Sequence, residues 1–69
     1  MTLEQLRIFL CVAEELNMTR AAETLHLTQP AISAAIAALE GRYATRLFDR
    51  VGRRIELTEA GRLFQPEAR

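Results

Sequence analysis

Arg50, Arg53 and Arg54 crowd three guanidinium groups into five residues around Gly52. Packed this closely they repel one another, and on their own they read as a solvated loop. Beside a polyanion they would instead neutralise phosphates or enter a narrow groove of negative potential. All nine basic residues are Arg. The planar guanidinium suits bidentate contacts to phosphates and base edges, although codon bias explains much of the missing Lys. Arg42 and Arg46 either extend this basic flank or pair with Glu40 and Asp49. Gln29 is long enough for the N6/N7 edge of an adenine, and Ser33 for a base edge or a phosphate.

Other chemistries have no constellation to support them. The single His, His26, falls in a turn and reads as a polar turn residue rather than a ligand or base. The single Cys, Cys11, excludes an intramolecular disulfide. It reads as a small buried side chain, since a redox sensor wants an exposed thiol and a resolving partner. Glu14 and Glu15 are adjacent, so on a helix they diverge by about 100° and form a solvated face. Ser33 has no activating base close by, and no Gly-rich phosphate loop is present. An enzyme, a cofactor and a metal site are therefore not expected.

The chain has 69 residues and zero formal net charge. That is one domain at most, and one of this size buries only about 60% of its unfolded surface. Of its 34 apolar residues 11 are Ala, which leaves 23 larger side chains for a thin core. Help from a partner chain or from residues past Arg69 is expected. Charge is uneven: residues 1–40 carry five Glu against two Arg, and residues 41–69 seven Arg against four acids. No apolar run approaches the roughly 18 residues of a membrane span. Thr2 and Glu4 do not open a signal peptide, so a cytoplasmic protein away from membranes is expected.

The positioning elements follow from periodicity and caps. A first helix is predicted from about Leu3 to Leu16, with Thr2 and Gln5 at capping-box spacing. Leu3, Leu6, Phe9/Leu10, Ala13 and Leu16 form its buried stripe, while Ile8, Cys11 and Val12 lie off it and suggest a second packing partner. Asn17 is the expected left-handed stop. Thr19 is expected to cap a short helix over Arg20–Leu25, with Ala21, Ala22 and Leu25 inward. Thr28 caps a third helix over Gln29–Glu40, Pro30 sits in its first turn, and Gly41 ends it. Ile32, Ile36 and Leu39 face inward. Leu47–Phe48 and Ile55–Leu57 read as a small hairpin with a basic tip. Thr58 caps a last helix, which Pro66 should kink or end.

Two short helices joined by a tight turn have helix-turn-helix dimensions. The outer face of the second carries Pro30, Ser33, Ala34 and Ala37, with Gln29 leading: small, weakly polar and uncharged, so a duplex can approach it closely. Ala34 and Ala37 offer methyl contacts to thymine. Alone, such a helix would belong to any bundle. The short helix before it and the Arg hairpin after it favour DNA.

These residues carry a family resemblance. The run from Thr19-Arg20-Ala21-Ala22-Glu23 through Leu25 to Thr28-Gln29-Pro30-Ala31-Ile32-Ser33, then Ala38-Leu39-Glu40, Arg46-Leu47-Phe48-Asp49-Arg50 and Leu57-Thr58-Glu59-Ala60-Gly61, resembles the N-terminal domain of LysR-type transcriptional regulators over essentially the whole chain. The resemblance implies a mainly α fold with a small β-hairpin: a winged helix-turn-helix over 1–58 (helix-turn-helix about 18–37, wing about 47–57), then the start of a dimerisation linker helix over 59–69. It implies sequence-specific binding of double-stranded DNA, with helix 29–40 in the major groove and a homodimer on a T-N11-A type palindrome. A tetramer is an option for a full-length protein. A small-molecule effector would act only through a C-terminal domain that is not in this chain. Members usually repress their own gene and activate a divergent one.

The positions matching DNA contacts are Arg20, Thr28, Gln29, Pro30, Ser33 and Ala34, with Arg50, Arg53 and Arg54 at the wing. Ala34 stands where the family often has Arg or another polar residue, so one base-reading group is lost. Tyr43-Ala44-Thr45 replaces a common Leu-Gly-Val and puts the usual Gly turn in question. The competing class is a winged-helix module for protein contact or dimerisation. It would show large apolar anchors on the recognition face, where this chain has Gln29, Ser33 and Ala34.

Overall fold

The computed structural model describes residues 2–52 and 54–68. The elements run α1 (Leu3–Glu15), α2 (Met18–Leu25), α3 (Gln29–Tyr43), β1 (Phe48–Val51), β2 (Arg54–Leu57) and α4 (Glu59–Ala68). Among the described residues no helix is long and apolar enough to cross a membrane.

The first cap forms as the sequence predicts. Thr2 Oγ1 accepts from the Gln5 N–H at 3.1 Å, and Gln5 Oε1 accepts from the Thr2 N–H at 3.2 Å. The helix then stops one residue early. Leu16, not Asn17, takes the left-handed conformation (φ 50°), and its N–H donates to the Val12 carbonyl at 2.7 Å. This frees Asn17 to head the next helix, where its Oδ1 accepts from the Arg20 N–H at 2.9 Å. Asn17 is thus the cap of α2 in place of Thr19, and the helix begins at Met18. Asn ranks above Thr as a cap. At the far end, His26 (φ 58°) and Leu27 return their N–H groups to the Glu23 and Ala22 carbonyls. Two such bonds back across the last turn end a helix firmly without Gly.

Thr28 caps α3 as expected, its Oγ1 accepting from the Ala31 N–H at 3.2 Å. Gly41 does not end the helix, which continues to Tyr43 and stops at Ala44 with φ 51°. The continuation brings the Tyr43 ring to within 5.4 Å of the Phe64 ring on α4. Tertiary packing outweighs the weak local preference of a Gly for the end of a helix.

The hairpin pairs antiparallel in the register Phe48↔Leu57, Asp49↔Glu56, Arg50↔Ile55 and Val51↔Arg54. Its strands are longer than the sequence suggests, so Arg50 and Arg54 sit on strands, with Gly52 in the turn between them. Gly52 has φ 65°, a conformation open to Gly without a Cβ penalty. Thr58 caps α4, accepting from the Gly61 N–H at 3.0 Å. The helix does not end at Pro66 but runs on to Ala68. Proline removes one N–H yet keeps a helical φ, so a helix about to end can pass through it.

The core joins Ile8, Phe9, Val12 and Ala13 of α1, Ala21 and Ala22 of α2, Ile32, Ile36 and Leu39 of α3, and Leu47, Phe48 and Ile55. The α1 stripe is therefore rotated from the sequence reading. Leu3 is 77% exposed and Leu16 39%, whereas Ile8 and Val12 are buried. A helix packed on α2, α3 and α4 at once buries a broad face, and a single stripe cannot describe it. Phe9 lies at its centre, with its ring centroid 5.5 Å from that of Phe48 and 5.1 Å, edge-on, from that of Phe64.

Two expected outcomes follow from the backbone. Replacing Ala44 by Gly relieves the left-handed strain and should stabilise the domain by about 1 kcal/mol, raising the melting temperature by roughly 4–8 °C. An unchanged or lower melting temperature contradicts this. A Cβ at Gly61 would run into the Leu47 carbonyl oxygen and lie 2.8 Å from Leu57 Cδ2. Because the first obstacle is backbone, Gly61→Ala should cost about 1–3 kcal/mol in urea unfolding.

Candidate nucleic-acid interface

The recognition face is built on α3 because Ile32, Ile36 and Leu39 turn inward and are buried. That leaves Gln29, Pro30, Ser33, Ala34 and Ala37 exposed on the other side. Thr28 stands at the head of the helix, its hydroxyl oxygen engaged as the cap. The turn through His26 and Leu27 sets the angle between α2 and α3, and the close Ala21 and Ala22 let the helices approach.

The hairpin brings its arginines up to this face. A hollow of about 180 Å³ is lined by Leu16, Asn17, Met18, Thr19, Gln29, Arg50, Arg54 and Ile55. The start of α2, the first residue of α3 and two wing arginines therefore share one concavity. A second hollow of about 180 Å³ lies alongside, with Ser33, Ala37, Glu40, Arg46, Asp49 and Arg50 among its walls. Arg50 lines both, so the wing and the recognition helix form a continuous grooved surface.

The arginines differ in how free they are. Arg50 is exposed and makes no ion pair among the described residues. Arg54 lies with Nη2 at 3.5 Å from Glu56 Oε2. Arg53 lies outside the described residues. Arg20, at the start of α2, has Nε at 4.0 Å from Glu15 Oε1 and does not line either hollow. Arg46 resolves the open alternative in favour of pairing: it sits 3.9 Å from both Glu40 and Asp49. Such exposed pairs are weak, so Arg20 and Arg54 can exchange their carboxylate for another anion at little cost.

Asn17 and Glu40 were not legible as site residues. Asn17 lines the first hollow and caps α2, and its preference for the cap position was the available signal. Glu40 lines the second and bonds to residues seven and eight positions on, a contact that no local pattern announces. Cys11 is half-buried, and burial, followed by the Glu15 and Glu14 charges, raises its thiol pKa above the ordinary value. That disfavours the reactive thiolate.

The family model for bacterial regulatory helix-turn-helix proteins of the lysR family matches residues 3–62. The chain belongs to this family. LysR-family proteins are regulators, not enzymes. A relative of this chain is an uncharacterized HTH-type transcriptional regulator in the ibpB-leuC intergenic region of Azotobacter vinelandii, 54% identical over 68 residues. That match takes in 99% of this chain and 47% of the relative, so the chain spans about half of that protein's length. The DNA-binding domain of CbnR, solved in complex with DNA, superimposes with a TM-score of 0.93 at 44% identity, covering 99% of this chain and 78% of that one. The BenM DNA-binding domain in complex with catB site 1 DNA gives 0.93 at 37% identity, covering 99% and 76%. The LysR-family winged helix-turn-helix is thus the fold of this chain.

Proposed function

We propose that the chain binds double-stranded DNA sequence-specifically, as the DNA-binding domain of a LysR-type transcriptional regulator. The observation that carries this reading is the small, uncharged outer face of α3 set in one grooved surface with Arg50 and Arg54. α3 enters the major groove, where Gln29 pairs with an adenine edge, Ser33 reaches a base or phosphate, and Ala34 and Ala37 meet thymine methyls. Thr28 and Pro30 bring the helix N-terminus to a phosphate. Arg50, Arg53 and Arg54 lie along the backbone or in the minor groove, and Arg20 contacts a phosphate beside α2. The crystallised DNA complexes of CbnR and BenM support this reading.

The wider assignment rests on the family. Residues 1–58 are the DNA-binding unit, and α4 begins a linker helix through which two copies meet on a T-N11-A type palindrome. Regulation by a small-molecule effector belongs to a further domain, and the protein works in the cytoplasm, where its DNA is. The alternative, a protein-contact module, lacks support on the recognition face. The large exposed apolar residues among those described are Leu3, Leu16, Tyr43, Val51 and Leu63, and none lies on the outer face of the first turns of α3.

The test is fluorescence anisotropy with a labelled T-N11-A duplex from the gene's upstream region and a scrambled duplex of the same composition, across a salt series. Tighter binding to the palindrome, weakening steeply with salt, is expected. Absence of binding to either duplex at low salt overturns the reading. In the same assay Gln29→Ala should cost about 1–3 kcal/mol on the cognate site and relax preference at one base pair. Equal weakening on every sequence would make Gln29 a positioning residue instead of a reader.

A further inference from the structure

We propose that Glu40 is the residue that sets the position of the wing against the recognition helix. The inference rests on the DNA-binding reading above and adds to it a residue that touches no DNA.

Glu40 lies on α3 on the same helix as the recognition face, and its side chain is only 20% exposed. Its Oε2 accepts from the Leu47 N–H at 2.8 Å and from the Phe48 N–H at 3.2 Å. These are the first backbone donors of the wing. Its own carbonyl accepts from the Thr45 N–H at 3.1 Å, so residue 40 holds the connecting loop by main chain and side chain together. Among the described residues no other side chain of α3 hydrogen-bonds to the hairpin or to Leu47 before it.

Arg46 completes the grip. Its Nε stands 3.9 Å from the same Glu40 oxygen, and its Nη2 donates to the Phe48 carbonyl at 3.2 Å. The N–H and the carbonyl of Phe48 are thereby both held. On the opposite side Thr58 fixes the same stretch to α4: its N–H donates to the Leu47 carbonyl at 3.0 Å and its hydroxyl to the Arg46 carbonyl at 2.6 Å. Arg50 follows two residues after Phe48 on β1. A shift at the Phe48 peptide moves Arg50 with it, away from the groove it shares with Ser33.

Two part-buried N–H groups need an acceptor, so reach, and not charge, is the property this role demands. Glu40→Gln keeps the length and one acceptor oxygen but loses the charge. Glu40→Asp keeps the charge but is one methylene short. The experiment is a double-mutant cycle with Arg50→Ala, read as affinity for the cognate duplex and as salt slope. In the unaltered background Arg50→Ala should weaken binding about eightfold at 0.1 M salt and flatten the slope by about 0.9, the share of one phosphate contact.

With E40Q nearly the whole of that effect should persist. With E40D, and with E40A, the Arg50→Ala effect should shrink to less than about twofold, because the wing no longer holds Arg50 in place. An Arg50→Ala effect of undiminished size in E40D overturns the proposal. So does E40Q behaving like E40A while E40D behaves like the unaltered chain, which would make the role one of charge. Hydrogen exchange on the unaltered chain is independent of whether any variant folds. The Leu47 and Phe48 amides should exchange as slowly as the inner amides of α3, and fast exchange at both overturns the proposal. If the unaltered chain binds no duplex, the DNA reading fails, and the exchange rates still decide whether Glu40 holds the wing.

Discussion

The Phe9 ring is the contact on which the rest of this small domain depends. It is fully buried and meets Phe48 at the root of the wing and Phe64 on α4, while its helix packs on α2 and α3. A 69-residue chain has few large side chains to spend on a core. Placing one aromatic where helix-turn-helix, wing and final helix converge lets a single residue hold all three. Deleting such a ring would open a void at the junction of every element, a loss of about 3–5 kcal/mol in known cases. That is a large share of what a domain of this size possesses.

Around that centre the surface is arranged by side-chain size. α3 is rich in Ala, which favours the helix intrinsically and leaves its outer face low. A low face beside raised arginines is a groove, and the two hollows along it are shaped by Gln29, Ser33 and Arg50. The charge asymmetry visible along the chain is local in effect. Glu15 and Glu56 lie beside Arg20 and Arg54, and Glu40 with Asp49 occupies Arg46. Arg50 is thereby left as the wing cation with no ion pair among the described residues.

The sequence was most legible where structure is local. Caps by Thr2, Thr28 and Thr58 each involve a side chain and a backbone N–H three residues on, and all three form. The inward Ile32, Ile36 and Leu39, and the order of helices and hairpin, were legible for the same reason. The errors come where distant residues decide. Leu16, His26 and Ala44 adopt positive φ although none is Gly or Asn. The conformational tolerance of Asn17 suggests a stop, whereas its better use as a cap depends on where α1 ends. Gly41 suggests an end, but Tyr43 has an aromatic partner on α4. Of the site residues, those on the α3 face were found by periodicity. The sequence offers Glu40 only as an ion-pair partner for Arg42 or Arg46, because its backbone partners lie across a loop.

The central claim is that α3 and the wing present one surface to a duplex. Titrating a 15N-labelled chain with the cognate duplex and following its amide resonances tests that claim most directly. The account predicts that the largest shifts fall at Gln29, Ser33, Ala34 and Arg50, while Glu4 and Arg7 on the exposed side of α1 stay in place. Shifts gathered instead around Tyr43 and Leu63, or confined to the wing with α3 unmoved, would contradict it.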